Sequence, residues 1–390
     1  MPDGSDKTST DFISMLERLV SFDTVSDKSN NDLIAFVQEF LAHNGVTAQL
    51  VPNEDGSKTN LYATIGPHVA GGIVLSGHTD VVPVADQAWT SDPFTLTRRD
   101  SRLFGRGTSD MKGFAAVVLA LVPDMVKADL KRPIHIALSY DEEISCMGVL
   151  PMIAEMGKTL PPVEAVIVGE PTELNLVTAH KGAFGYKTIV TGHEAHSSLI
   201  DQGVSAISMA SRLIVHIEDR MRDRAARADP FSGFSPAYTT GHAGNVRGGT
   251  ASNILARQCV FEWELRTVPQ DDPVAILRDF EEFGDRLLAQ AHEIASDCAI
   301  ETIEECAIPA LKEEPQGAAE ALCRRLTGRN GTTTAAYCTE AGQFQAAGMS
   351  TIVLGPGSIE QAHKPDEFIE LDQLVACRSF LEKLISAQAT

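Results

Sequence analysis

Four short apolar runs, each ending abruptly in polar residues, constrain the fold of this chain more than any other feature. Such runs are typical of strands that are buried on both faces of a sheet. They lie at residues 73–75, 134–138, 165–168 and 351–354. Between the first two, residues 113–126 are rich in alanine, valine and leucine at helical spacing. The pattern therefore predicts the strand, helix and strand of a parallel α/β sheet.

The middle of the chain follows a different pattern. One alternating run, two helical segments and three further strands predict a β-α-β-β-α-β order, a compact motif with its helices on one face. The elements are a strand at 183–191, a helix at 204–220, two strands around Gly248-Gly249, a helix at 272–292 and a strand at 299–304. This order indicates an inserted α+β domain.

The length of 390 residues exceeds what one hydrophobic core holds, which suits two domains or one domain with a large insertion. We predict a first domain at 1–182, the inserted domain at 183–309 and the rest of the first domain at 310–390. The predicted fold class is α/β, a mostly parallel mixed sheet accompanied by the inserted α+β domain.

The net charge of the chain disfavours some classes of binding partner. Its 32 basic and 53 acidic side chains give a formal charge of −21, which repels phosphate backbones and anionic lipid surfaces. We therefore expect neither nucleic acid nor a membrane as a partner. The N-terminus lacks a signal pattern and no apolar stretch is long enough to span a bilayer, so a cytoplasmic location is expected. Seven scattered cysteines without CxxC spacing predict reduced thiols.

Side chains of the types that commonly bind metal ions follow the first predicted strand and precede the predicted helix. His78 and Asp80 fall on the same side of an extended chain, as a ligand and its orienting partner, although a structural hydrogen-bonded pair is the alternative. Asp110 lies in a glycine-rich loop, where a helix cap is the alternative. That loop lacks the GxxxxGK[ST] order of a phosphate-binding loop.

The other strands also end in potential ligands. Glu142 and Glu143 follow the second run, and alternation points them in different directions, so one can bind metal while the other moves a proton. An exposed acidic turn is the alternative. Glu170 follows the third run and His363 the fourth. Since these ends meet at one sheet edge, the donors suit two zinc ions about 3.5–4 Å apart that share an aspartate.

Five segments together resemble the M20 metallopeptidases, in particular the acetylornithine deacetylase and succinyl-diaminopimelate desuccinylase group. The resemblance extends over essentially the whole chain. The matching segments are SGHTDVVP at 76–83, GRGTSDMKG at 105–113, SYDEE at 139–143, VGEP at 168–171 and GPGSIEQAHKPDE at 355–367.

The resemblance implies a zinc-exopeptidase-like catalytic domain with two Zn²⁺ ions, for which Co²⁺ can substitute. It assigns His78 and Glu170 to one ion and Glu143 and His363 to the other, with Asp110 shared between them. In the same family pattern, Glu142 is the general base that takes a proton from the attacking water and passes it to the leaving amine. Asp80 then orients His78.

The resemblance also implies that the inserted domain is a lid and dimerisation domain. His196 is expected to reach the site of a neighbouring subunit and stabilise the oxyanion, so a homodimer is predicted. Asn253 and Arg266 lie in segments that resemble the substrate-gripping strands, and Arg266 suits a bidentate hold on a carboxylate. For His196 the alternative is an ordinary surface histidine, and for Arg266 it is an ion pair on the strand surface.

Several local segments favour the acetylornithine branch, which implies hydrolysis of N²-acetyl-L-ornithine to L-ornithine and acetate in arginine biosynthesis. Glu340 is a candidate to recognise the ornithine ammonium group, and a structural acid is the alternative. Succinyl-diaminopimelate or another N-acyl amino acid is the competing substrate. A catalytically inactive, metal-stabilised binding protein is the alternative of a different class.

Overall fold

The computed structural model describes residues 6–390, with side chains from Phe12 onward. The described chain forms two compact units. Unit 1 contains the residues up to Ala179 together with Glu313–Thr333 and Thr339–Thr390, and unit 2 contains His180–Lys312 and Thr334–Cys338. The domain boundaries at 183 and 309 stay a prediction. That prediction did not include Thr334–Cys338, the short second segment of unit 2. Every helix in the described part is too short or too polar to cross a lipid bilayer.

The described residues contain eleven α-helices and two short 3₁₀ helices, Ile200–Gln202 and Ile359–Gln361. The α-helices are α1 (Asp6–Val20), α2 (Asn31–His43), α3 (Lys112–Ala120), α4 (Val122–Lys127), α5 (Glu142–Ser145), α6 (Leu150–Thr159), α7 (Ala206–Ala225), α8 (Pro273–His292), α9 (Ala318–Thr327), α10 (Ala341–Ala346) and α11 (Leu371–Gln388).

Fifteen strands in the described chain form three sheets. They are β1 (Ala48–Pro52), β2 (Thr59–Ile65), β3 (Gly72–His78), β4 (Thr97–Arg99), β5 (Arg102–Phe104), β6 (Ile134–Ser139), β7 (Val163–Pro171), β8 (Leu176–His180), β9 (Gly182–Thr191), β10 (Thr240–Gly248), β11 (Gln258–Thr267), β12 (Ala299–Ile308), β13 (Thr332–Ala335), β14 (Thr351–Gly355) and β15 (Phe368–Glu370).

The largest sheet has the order β1-β2-β6-β3-β7-β14-β8-β13. Its four central strands, β6, β3, β7 and β14, are parallel, and β2 and β8 flank them in antiparallel pairing. Strands β3, β6 and β14 are buried along their whole length, because helices cover both faces of a parallel sheet. The predicted α/β class with a mixed sheet is confirmed, and the parallel centre brings the carboxyl ends of these strands to one edge.

The predicted helix at 113–126 is divided in the structure. Helix α3 ends at Ala120 and α4 begins at Val122, with Leu121 between them. Pro123 has no backbone N–H to bond the carbonyl of residue 119, which interrupts the helical ladder at this point. Nearly all side chains of α3 are buried, since it packs against β3, α1 and α11.

Unit 2 contains a four-stranded antiparallel sheet with the order β10-β11-β9-β12. Helices α7 and α8 bury their apolar sides against this sheet in a core of their own. The chain order is β9, α7, β10, β11, α8 and β12, which confirms the predicted β-α-β-β-α-β motif.

A small sheet of order β15-β5-β4 lies in unit 1. Strand β5 leads into the glycine-rich loop, and β15 follows the loop that contains His363. Phe104 and Phe368 face each other in this pairing, with ring centroids 5.3 Å apart. The sheet therefore joins two loops that are distant in sequence.

Candidate metal centre

The predicted ligands gather at the carboxyl edge of the central sheet. His78 is the last residue of β3, and Glu170 lies near the end of β7. Glu143 belongs to α5, which follows β6, while Asp110 precedes α3 and His363 follows β14. Loops after neighbouring parallel strands meet at such an edge, which is where α/β sheets bind ligands.

Two groups of donor atoms form there, each able to hold a metal ion, with donors within 4.8 Å of one another. In the first, His78 Nε2 lies 3.0 Å from Asp110 Oδ1 and 3.5 Å from Glu170 Oε1. In the second, His363 Nε2 lies 2.9 Å from Glu143 Oε2 and 3.6 Å from Asp110 Oδ2. Asp110 belongs to both groups, with one carboxylate oxygen facing each histidine.

The electrostatics of these groups are typical of a site built for cations. Burial raises the pKa of Glu143 to about 7 and that of Glu170 well above its usual range, and the nearby Asp110 charge adds to both shifts. Burial also opposes ionisation of Asp110, but hydrogen bonds to His363 and His78 hold its pKa below the usual value. Close carboxylates of this kind repel one another unless a positive charge lies between them.

The residues present fit a pair of metal ions. Glu170 Oε1 is buried and has no hydrogen-bond partner among the described residues, although a buried charged oxygen is costly without one. A cation bound by His78, Asp110 and Glu170 would supply the missing partner of this oxygen. Imidazole and carboxylate donors in these proportions suit Zn²⁺ or Co²⁺.

Asp80 contacts residues of both donor groups. Its carbonyl oxygen lies 2.9 Å from His78 Nδ1, and its carboxylate oxygen Oδ1 lies 3.6 Å from the same atom. The Asp80 carboxylate accepts hydrogen bonds from the N–H groups of Glu142 and Glu143, each at 3.2 Å, and from the hydroxyl of Ser26 at 2.7 Å. Asp80 therefore bonds His78 of the first group through its backbone carbonyl and holds the backbone of Glu143 of the second group through its carboxylate.

The local structure around Glu142 and Glu143 differs from the expectation. Glu142 and Glu143 do not continue an extended strand, because Asp141 adopts φ 60° and α5 begins at Glu142. The thiol of Cys146, at the end of this short helix, donates to Glu142 Oε1 at 3.2 Å. For Asp110 the structure argues against the alternative of a helix cap, since α3 begins at Lys112 with Met111 at the cap position.

Sequence comparison decides the family. Residues 74–387 match peptidase family M20/M25/M40, a range that includes all five residues of the two donor groups. The chain belongs to this family. As an M20 protein it is a hydrolase, and the resemblance seen in its motifs is confirmed.

The curated M20 relatives include acetylornithine deacetylases. The chain is 34% identical to that of Proteus mirabilis over 96% of each chain. It is 35% identical to that of Shigella sonnei, covering 96% of this chain and 97% of the relative.

Solved M20 structures share the fold. A metallo-carboxypeptidase from Sulfolobus solfataricus has a TM-score of 0.75 at 17% identity, covering 97% of this chain and 99% of that chain. A dinuclear metal-binding peptidase from Bacillus subtilis has a TM-score of 0.70 at 15% identity, covering 98% of both chains. At these identities the likeness concerns the fold alone.

Three predicted residues lie in unit 2. His196 is exposed, and its segment pairs with that of Asn253, whose carbonyl accepts from the Ser197 N–H at 3.0 Å. Arg266 lies on β11, where it forms an ion pair with Glu264 at 2.9 Å. The structure thus brings His196 and Asn253 together, and the roles assigned to the three residues stay predictions.

Glu340 lies in unit 1 and its side chain has internal partners. It is 1% exposed and accepts hydrogen bonds from the hydroxyls of Ser139 and Ser76. Burial raises its pKa to about 7. Recognition of a substrate ammonium group by Glu340 stays a prediction, but these contacts favour the alternative of a structural acid bonded to serines of β3 and β6.

Substitution of Glu340 by Gln separates the two roles. We expect the change to lower kcat/KM by the same factor for N-acetylornithine and for an uncharged N-acetyl amino acid, because the carboxylate bonds to serines of the sheet. The measurement is the ratio of the two kcat/KM values in wild type and variant. A loss confined to acetylornithine supports ammonium recognition instead.

Three side chains near the centre were missed by the sequence analysis. Ser26 supports Asp80, while Arg106 and Glu367 form a buried ion pair at 2.9 Å. Arg106 and Glu367 lie inside segments that match the family, and this match was the only sign in the sequence that they matter. The two residues are more than two hundred and fifty positions apart, so the sequence did not show that they contact each other.

Proposed function

We propose that this protein hydrolyses the amide bond of N-acyl amino acids, with N²-acetyl-L-ornithine as its substrate. The observation that carries the proposal is the position of Asp110, whose two oxygens face two separate histidine–carboxylate groups. In two-metal hydrolytic sites, one carboxylate is commonly shared by the two metal ions in this way. The names of the relatives, at 34% and 35% identity over nearly the whole chain, support the substrate.

The chain's residues then have distinct tasks. The two groups would hold two Zn²⁺ or Co²⁺ ions, and such ions would supply Lewis-acid chemistry that polarises a carbonyl and makes water more acidic. Glu142 is held beside Glu143 at the start of α5, where the Asp80 carboxylate fixes its backbone. From there Glu142 accepts the proton of the attacking water and returns it to the departing amine nitrogen.

The residues of unit 2 complete the proposal. We assign Arg266 and Asn253 to the substrate and His196 to the oxyanion in a partner subunit, so the active form is a homodimer. The support is the resemblance of their segments to the family pattern. Sedimentation of the full chain tests the dimer, and a fully active monomer contradicts the role of His196. A cytoplasmic location and a place in arginine biosynthesis belong to the same proposal.

A substrate panel tests the proposed specificity. We expect the Zn²⁺-loaded protein to hydrolyse acetylornithine with a kcat/KM at least about tenfold above acetylcitrulline, acetylmethionine and succinyl-diaminopimelate, because the relatives that match nearly the whole chain are acetylornithine deacetylases. Release of the free amine is measured for each compound.

The panel also separates the alternatives. A preference for one of the other compounds keeps the hydrolase but replaces its substrate. If the loaded protein binds these compounds without cleaving any of them, an inactive binding protein is the better description.

A further inference from the structure

A fully buried ion pair lies beside the candidate metal centre and has no part in the proposed chemistry. The side chains of Arg106 and Glu367 are each 1% exposed, and Arg106 Nη1 lies 2.9 Å from Glu367 Oε2. Burying two charges is costly unless further hydrogen bonds satisfy them. The remaining partners of both side chains therefore show what the pair holds in place.

Glu367 binds the backbone of the glycine-rich loop. Its Oε1 accepts from the N–H groups of Ser109 at 2.8 Å and Asp110 at 3.0 Å. Its Oε2 accepts from the N–H of Gly107 at 2.9 Å, in addition to Arg106. The carboxylate thus fixes the main chain of Asp110, whose side chain is shared by the two donor groups.

Arg106 binds the other loop. Its guanidinium donates to the carbonyl of Lys364 at 3.2 Å and to Gln87 Oε1 at 2.6 Å. Gln87 Nε2 in turn donates to the carbonyl of His363 at 3.1 Å. His363 needs such support, because its side chain is 58% exposed and its backbone has φ 63°.

The small sheet brings the two loops together. Strand β5 ends just before Arg106, and β15 begins just after Glu367, so their pairing sets the loops side by side. The ion pair then links the glycine-rich loop to the loop that contains His363, close in sequence to the ligands Asp110 and His363. Rigid support of this kind holds ligands at their required separation.

We propose that the Arg106–Glu367 pair is a positioning device that sets the distance between Asp110 and His363, and thereby the affinity of the Asp110–Glu143–His363 group for its metal ion. The proposal rests on the metal centre of the proposed function. Arg106 and Glu367 touch neither substrate nor metal in it, and act through the backbone of the ligands.

Substitution of Glu367 by Gln tests the pair. Each carboxylate oxygen of Glu367 accepts two hydrogen bonds, so the amide nitrogen of a glutamine must face N–H donors in either orientation. We expect one of the two Zn²⁺ ions to bind about 10–100-fold more weakly, as for other residues that support metal ligands. Titration of the metal-free full chain with Zn²⁺, against a chelating indicator, gives the number of ions and each Kd.

A matched control is available on β15. Glu370 pairs with Arg102 at 2.6 Å, but this pair is exposed, with 37% and 50% of the side-chain surfaces accessible. Glu370→Gln therefore removes the same charge three residues away without touching the loops. We expect it to leave both Zn²⁺ affinities unchanged.

A second variant separates positioning from folding, in case Glu367→Gln does not fold. Arg106→Lys keeps the charge opposite Glu367 and the hydrogen bonds of that carboxylate to Gly107, Ser109 and Asp110, but one ammonium group cannot reach both Lys364 and Gln87 as the guanidinium does. We expect this variant to fold and still bind one Zn²⁺ ion more weakly. The visible spectrum of its Co²⁺-loaded form, which reports ligand geometry, is expected to change as well.

The outcomes distinguish the two proposals. If wild type binds fewer than two Zn²⁺ ions, the metal centre is wrong and the positioning role fails with it. If wild type binds two ions and the folded variants bind both with unchanged Kd and Co²⁺ spectrum, only the positioning role is overturned, and the pair serves stability.

Discussion

Removal of metal is expected to lower kcat for acetylornithine by about 10³–10⁵-fold, because bound ions contribute several kcal/mol of charge stabilisation and each 1.4 kcal/mol is tenfold in rate. Dialysis of the full chain against a chelator, followed by rate measurement, gives the loss. Addition of two equivalents of Zn²⁺ or Co²⁺ is expected to restore the rate.

Mg²⁺ provides the control for this experiment. It prefers oxygen ligands in a strict octahedral arrangement, whereas each donor group here includes an imidazole. We expect Mg²⁺ to restore little activity at the same concentration. A chelated, metal-free protein that retains the original rate refutes the metal-dependent mechanism.

Substitution of Glu142 by Gln is expected to lower kcat by about 10²–10⁴-fold, the usual contribution of a positioned general base. Glutamine has the same shape but cannot accept the proton. The metal content should remain at two ions per chain, because Glu142 belongs to neither donor group. Its backbone N–H also keeps its bond to Asp80. The kcat and the metal content are measured on the same preparation.

Asp141 supplies the matched control, since it stands next to Glu142 in the same run of acids. Its carboxylate forms an ion pair with Lys58 rather than with the donor groups. Asn tolerates the left-handed backbone at this position, so Asp141→Asn should fold and change kcat little. Near-normal turnover in Glu142→Gln requires a different proton carrier.

The pattern of residues alone predicted much of this architecture. Apolar runs buried on both faces indicated the parallel strands, and the residues directly after them included His78, Glu143 and Glu170. Parallel strands share an edge, so placing donors after their ends was enough to predict a common site. The alternation of the middle segment similarly predicted the motif of unit 2.

Local backbone conformation limited the prediction around the second strand. The prediction from periodicity assumed that Glu142 and Glu143 continue an extended chain. In the structure Asp141 adopts a left-handed backbone conformation, and a helical turn begins at Glu142. A one-residue change of backbone state leaves no periodic signal in a sequence. It nevertheless decides where the proposed base and its neighbouring ligand point.

The sequence by itself determined which donor residues exist and at which ends of which elements they stand, since period and burial are local properties. The family resemblance already assigned Asp110 to both donor groups. Only the tertiary structure decided that each of its oxygens faces a different histidine, that Asp80 holds the backbone of α5, and that Glu367 holds that of Asp110. These contacts join segments far apart in the chain. Spacing along a sequence carries no information about which distant side chains meet, because that depends on how whole elements pack.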